Sequence, residues 1–349
     1  MNGKSCIFLL CICALCLLSC SCGPAEPARS ALVVASWNVQ CMFDDLTEGT
    51  EYSDFQNSAL WDHSAYRNRV RNLASAITAL DPRPDLLVLQ EVENDRVLYD
   101  LCSLLASKGY LWYGTTAGAG RAIQTGFIAR VPVERDDVAV IGVEGQRPVL
   151  RIRLVFGGAD VVVLGFHAKS RSDGPEETEP DRLATSAALI CAAAEASALY
   201  PGAVVLLAGD FNTDINCSAA LLQKAPGLCP ALAYAGWDDA VLAGCAGSLV
   251  VTGGPPAAGC WYSFWEDEGT QKEAPGSYVY RGEWYCFDRI LCGGEAFDRQ
   301  GPEYDGGGVY TGSGLTDGQG LPVAYVPRLR SGLSDHLPVW VRLTSFVEL

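Results

Sequence analysis

Positive charge and histidine are scarce in this sequence, and each shortage narrows what the protein can do. Lys and Arg number 25 against 41 Asp and Glu, for a formal net charge of −16. That balance excludes a long basic surface that holds nucleic acid by charge alone. It leaves room for a small, locally positive, metal-assisted site. Histidine occurs only at His63, His167 and His336. With no His-rich cluster, and no CxxC spacing among the cysteines beyond residue 22, a zinc site has no support. Internal repeats and long low-complexity tracts are missing too. What is present is a chain of 349 residues, 49% hydrophobic and 19% charged, with ample material for a core and no compositional sign of disorder.

The N-terminus carries Lys4, the apolar run "CIFLLCICALCLL" and small residues around "LSCSCG", the order of a secretory signal. The run is too short to span about 30 Å of hydrocarbon comfortably. "LLSC", ending at Cys20, resembles a bacterial lipobox; "SCSC", ending at Cys22, is a poorer match. The resemblance implies a signal peptide over residues 1–19, lipidation of Cys20, a short tether over 20–30 with Gly23, Pro24 and Pro27, and a folded domain over 31–349. An exported, membrane-anchored lipoprotein, periplasmic or on the cell surface, is the expectation. Six of the 15 cysteines lie in this leader, leaving nine, an odd number that cannot pair completely within one chain. One to three disulfides are expected among residues 217 to 292.

Eight apolar, β-branched runs read as buried strands: 31–39, 85–92, 125–130, 149–156, 160–168, 203–211, 284–292 and 338–346. Gly157 and Gly158 between two of them predict a tight hairpin, so part of the sheet is antiparallel. Residues 66–80 place Val70, Leu73, Ile77 and Leu80 on one helical face, and the Ala-rich 181–199 propagates a second helix well. Interleaving of strands and helices along the whole chain predicts one layered α/β domain. The Gly/Pro-rich stretches 244–282 and 301–320 read as long surface loops.

Polar residues interrupt the apolar runs at their ends: Asn38, Glu91, His167, Asp210 with Asn212, and Asp335 with His336. Strand ends can hold such side chains rigidly around one cleft. In "GDFNTDIN" the alternation Asp210, Asn212, Asp214 fits the first positions of a calcium loop. The required Gly and Glu are replaced by Ile215 and Leu221, which removes that reading. Asp214 or Asn216 is expected to cap a helix beginning near Ser218. Glu91 follows a strand buried on both faces, so its carboxylate needs a cation or hydrogen-bond partners. His63 reads as an ordinary histidine outside any motif. Asp335 and His336, adjacent in an extended segment, point in different directions; a separate carboxylate, with Asp288 the obvious candidate, is expected to orient the imidazole.

"SWNVQ", "LQEVEN", "FHAKS", "GDFNTD", "GEWYCFDRIL" and "SDHLPVW" resemble, in order and spacing, the endonuclease/exonuclease/phosphatase superfamily of deoxyribonuclease I-like enzymes over residues 31 to 345. The run "GSYVYRGEWYCFDRIL" is most similar to the bacterial branch described as nucleases. This resemblance implies a four-layer α/β/β/α sandwich with two packed mixed β-sheets. It further implies a Mg²⁺ site, with Mn²⁺ as a substitute, formed by Glu91 and completed or supported by Asn38 and Asp335. Asp210 would orient or deprotonate water, Asn212 would hold a phosphate oxygen, and His336, oriented by Asp288, would stabilise the transition state opposite His167. Lys169 and Ser170 suit a phosphate-rich substrate. The expected substrate is DNA or RNA. A phospholipid (sphingomyelinase-like) or inositol-phosphate substrate is the second reading, with "CWYSFW" (260–265) as the only candidate for lipid insertion. A non-catalytic surface lipoprotein is the third. The membrane is met through the N-terminal lipid, and no protein partner is expected.

Overall fold

A computed structural model describes residues 29–56, 60–116, 121–312 and 314–346. The signal peptide, Cys20 and nearly all of the tether lie outside the described residues.

Six strands form one sheet: β1 (Arg29–Met42), β2 (Leu86–Val92), β3 (Trp112–Thr115), β4 (Gln124–Ala129), β15 (Glu303–Val309) and β16 (Val339–Phe346), in the order β15-β16-β1-β2-β4-β3. Eight form a second: β5 (Val138–Ile141), β6 (Val149–Phe156), β7 (Ala159–His167), β8 (Val204–Asp210), β9 (Leu232–Tyr234), β10 (Leu249–Thr252), β11 (Cys260–Tyr262) and β14 (Asp288–Cys292), in the order β5-β6-β7-β8-β14-β11-β10-β9. Both sheets are mixed. β1 runs parallel to β2 and antiparallel to β16, while β8 runs parallel to β7 and antiparallel to β14. A separate hairpin pairs β12 (Tyr278–Tyr280) with β13 (Glu283–Tyr285).

The apolar runs have no polar alternation because both faces of these strands are covered. In β8, Val204, Leu206 and Ala208 face the first sheet, whereas Val205 and Leu207 face the Ala-rich helix α3 (Glu179–Leu199) through Leu189, Ala192 and Ala196. On the outer side of the first sheet, α1 (His63–Ala79) contributes Val70, Leu73 and Ile77, and α2 (Asp95–Leu105) contributes Val97, Leu98 and Leu101. Helix, sheet, sheet and helix thus form the four layers that the sequence motifs implied. Shorter helices α4 (Ile215–Lys224) and α5 (Asp239–Ala243) follow β8 and β9.

Gly157 and Gly158 join β6 to β7 with φ of 59° and 81°, the left-handed pair of a two-residue hairpin turn. Three expectations change. Residues 301–320 are not all loop: "EYDGGGV" pairs with β16 as β15, and Gly307 and Gly308 lie close to Trp340, where an added Cβ would come within 3.0 Å of its carbonyl oxygen and 3.2 Å of its Nε1. The 244–282 stretch contains β10, β11 and β12. The run 284–292 is two strands, β13 and β14, belonging to different sheets.

All nine cysteines of the described residues are free thiols. The disulfides expected among residues 217 to 292 are therefore not formed; Cys292, for one, is buried in β14. Cys229 and Cys245 donate to backbone carbonyls instead, those of Gly244 and Val241. In "CWYSFW", Tyr262 and Phe264 are core residues, and Trp265 donates its Nε1–H to the Asp288 carbonyl at 3.0 Å. That segment is therefore part of the packing.

Candidate active site

The second sheet supplies its share of the site through regular pairing. His167 lies opposite Asp210 in the β7–β8 ladder, and Asp288 lies opposite Asp210 in the β14–β8 ladder. Because even-numbered residues of β8 face the sheet interface, Asp210 continues that row and points inward. Gly209 allows this close approach: a Cβ there would lie 2.3 Å from the Phe166 carbonyl oxygen.

The first sheet supplies its share through irregular backbone. The β1–β2 register shifts between Asn38 and Met42, and the β2–β4 register shifts between Gln90 and Val92. Gln40, Cys41 and Glu91 take φ of 52°, 53° and 63°, a region that non-glycine residues seldom adopt outside functional sites. The two adjacent bulges turn Asn38 and Glu91 toward the cleft. Buried Arg69 of α1 holds the bulge by donating to the carbonyls of Val39 and Gln40. Ser334 Oγ donates to the Asn38 carbonyl at 2.6 Å and accepts from the His336 N–H at 3.0 Å, fixing the last loop against β1.

Two contacts join the halves. Asn38 Nδ2 donates to Glu91 Oε1 and to Asp210 Oδ2, each at 3.1 Å. His336 Nδ1 lies 2.7 Å from Asp288 Oδ2. His336 Nε2 and His167 Nε2 flank Asp210 Oδ2 at 4.0 and 3.6 Å. Those distances exceed a hydrogen bond, so the three atoms stay open to a ligand in the cleft.

Burial raises the Asp210 pKa, with the Asp288 charge adding and His336, the Asn212 N–H and Asn38 opposing, to about 7. For His336 burial acts downward, but the Asp288 and Asp210 carboxylates override it and the imidazole is pushed up to about 10. His167, buried and facing Arg147 and His336, titrates well below the usual range and is neutral. A near-neutral carboxylate beside a held imidazolium is a base and an acid in one cleft.

Among the described residues, the three potential ligand atoms that lie within 4.8 Å of one another belong to Asp210, Asp288 and His336. In that trio Asp288 already occupies His336 Nδ1, and Asp210 stands 4.0 Å from Nε2, an acid–base arrangement in place of a free ligand set. Glu91 and Asp335 suit a cation better. Burial, with the Glu91 charge adding, raises the Asp335 pKa although His336 opposes. Facing carboxylates of this kind are relieved by a divalent ion, and an all-oxygen donor set fits a hard one. Asn38 supports that set as the bridge between Glu91 and Asp210; its amide oxygen accepts from the Gln40 N–H at 3.0 Å.

Asn212, at φ 52°, gives one amide N–H to the Ala168 carbonyl at 3.2 Å and keeps the other. Lys169 is paired with Asp173 in its own loop at 2.6 Å. Asp214 caps α4 by accepting from the Cys217 N–H and also accepts from the Cys286 N–H. His63 is exposed at the start of α1, beside Asp45. Two neighbours of the site had no signal in the sequence. Arg147 falls opposite Ala168 when the β6–β7 register is continued and donates to its carbonyl at 3.2 Å; burial lowers its pKa, while the Glu91, Tyr52 and Asp210 charges oppose. The Cys41 thiol lies 3.1 Å from Glu91 Oε2, to which the Cys41 N–H also donates.

Residues 35–336 match the model of the Endonuclease/Exonuclease/phosphatase family. A search among curated proteins finds no match. Several solved structures share the fold. TDP2 from Caenorhabditis elegans is 18% identical with a TM-score of 0.55, covering 90% of this chain and 75% of that one. TDP2 from D. rerio, solved with a single strand DNA product, is 18% identical with a TM-score of 0.53, covering 90% and 99%. A family protein from Bacteroides vulgatus is 12% identical with a TM-score of 0.50, covering 90% and 98%.

Proposed function

Because the chain belongs to the endonuclease/exonuclease/phosphatase family, whose members are metal-dependent hydrolases of phosphate esters, we propose that it hydrolyses nucleic-acid phosphodiester bonds by in-line attack of water, with Mg²⁺ as its ion and Mn²⁺ as a substitute. The observation that carries this reading is the Asp288–His336–Asp210 unit, in which His336 Nδ1 lies 2.7 Å from Asp288 and Nε2 faces Asp210 Oδ2 at 4.0 Å, so that the two carboxylates hold the imidazole proton. Asp210 Oδ2 takes the proton of the attacking water. His336 Nε2–H, held in place through Nδ1 by Asp288, donates to an oxygen that gains charge in the transition state. Neutral His167 Nε2 and the spare amide N–H of Asn212 approach the phosphate from the other side. A hard divalent ion held by Glu91 and Asp335 neutralises charge on the phosphate oxygens when bound. The D. rerio relative's single strand DNA product supports a nucleic-acid substrate. Export and tethering through Cys20 belong to the same proposal.

The test is a substrate panel of plasmid DNA, single-stranded DNA, RNA, sphingomyelin vesicles and inositol phosphates with Mg²⁺. Wild type is expected to cleave a nucleic acid, and Asp210→Asn and His336→Ala each to lose about 10²- to 10⁴-fold in kcat. Cys20→Ser should release the protein from membranes without changing that activity. Equal activity of wild type and both site variants would remove the catalytic assignment.

A further inference from the structure

The hairpin β12–β13 belongs to neither large sheet, yet it is built against the catalytic histidine. Its register pairs Tyr278 with Tyr285, Val279 with Trp284 and Tyr280 with Glu283. Directly opposed residues share a face and successive ones alternate. One face therefore carries Val279 and Trp284, and Trp284 packs on the core. The other carries three tyrosines and, opposite Tyr280 near the turn, the exposed Glu283.

Those tyrosines begin a run of rings that leads away from the reacting centre. Tyr278 lies 4.5 Å from the His336 ring, tilted by 31°, and its backbone forms an isolated bridge with His336. Phe287 stacks on Tyr278 at 5.4 Å and 19°, and Tyr285 follows at 4.9 Å and 35° from Phe287. The Arg171 guanidinium, on the loop that follows His167, lies 5.8 Å from the Phe287 ring centre. At the turn, Arg281 lies over Tyr280 at 5.1 Å, and Tyr280 is 50% exposed. None of the three tyrosines makes a side-chain hydrogen bond to another described residue. This face therefore offers the tyrosine rings and two guanidinium groups beside them, with one carboxylate, Glu283, at its turn end.

An acidic chain that acts on a polyanion gains little from long-range attraction, since its net charge is −16. Affinity must come from contacts that do not depend on charge. Aromatic rings are such contacts for unpaired nucleobases, because every base has a π-face, and a neighbouring guanidinium adds a short-range one. Lipid insertion instead asks for a face free of charge, and this one carries Glu283, Arg281 and Arg171. We propose that the tyrosine face of the hairpin, with Arg171 and Arg281, stacks the unpaired bases next to the scissile phosphate and so selects single-stranded or frayed nucleic acid. This rests on the nuclease reading and adds its substrate form.

The experiment compares Mg²⁺-dependent cleavage of a single strand, of the same strand with base-free tetrahydrofuran residues flanking the scissile phosphate, and of a blunt duplex. Wild type should prefer the base-bearing single strand over both by about tenfold in kcat/KM. In Tyr280→Ala and Tyr285→Leu that preference should fall toward one, while Tyr280→Phe keeps it. Tyr280 is exposed, so its variants decide the matter even if Tyr285→Leu does not fold. Equal cleavage of base-bearing and base-free strands by wild type overturns the stacking role and leaves the nuclease reading intact. Cleavage of sphingomyelin vesicles or inositol phosphates with no cleavage of any strand overturns the nuclease reading, and this proposal with it.

Discussion

The two sheets reach the same cleft by opposite means. The eight-stranded sheet presents His167, Asp210 and Asp288 as register neighbours on three regular strands. The six-stranded sheet presents Asn38 and Glu91 from two bulges with left-handed residues at Gln40, Cys41 and Glu91. The proposed acid–base chemistry is thus placed by ordinary strand pairing. The proposed cation end is placed by irregular backbone that needs outside support, which Arg69 and Ser334 supply. Changes in the first half should alter proton transfer and leave the fold alone. Changes in the support of the second should cost stability.

The comparison is broken most sharply at Asp288. In Asp288→Asn the charge that holds the His336 proton is gone, and burial, which acts downward, is less opposed. Catalysis needs His336 protonated, so the alkaline limb of the kcat/KM profile should move from about 10 toward lower pH. Activity at neutral pH should fall about 10- to 100-fold. An unmoved limb would mean that Asp288 does not hold that proton.

A smaller effect, of the other kind, is expected at Arg69. Arg69→Met keeps an unbranched apolar stem but leaves the Val39 and Gln40 carbonyls without their donor. Denaturant unfolding should show a loss of about 1–3 kcal/mol, with weaker Mg²⁺ affinity in a direct titration of the folded protein. A variant as stable as wild type, with unchanged Mg²⁺ affinity, would mean that the bulge holds itself.

Much of this arrangement could be read in the sequence, for a physical reason. In strands covered on both faces, a polar residue at the end of an apolar run stands out, and Asn38, Glu91, His167, Asp210 and His336 all did. Asp288 was expected as the partner of His336 and lies at hydrogen-bond distance from it. What depends on chain register did not stand out. Arg147 meets Ala168 only because β6 returns along β7, and Cys41 meets Glu91 only because two bulges lie side by side. Three consecutive glycines hid β15, whose strand character comes from its partner β16. Helix α2 is not among the expected elements, although Val97, Leu98, Leu101, Cys102 and Leu105 keep helical spacing behind the Asn94 cap.

The account's central claim, direct attack by a water that Asp210 deprotonates, is tested by the stereochemical course at phosphorus. A single-stranded substrate carrying one chiral phosphorothioate of known configuration is cleaved in ¹⁸O-labelled water with Mg²⁺, and the product configuration is measured. A single in-line displacement gives inversion, which is the predicted result. Retention would require two displacements through a covalent enzyme intermediate and would contradict the account.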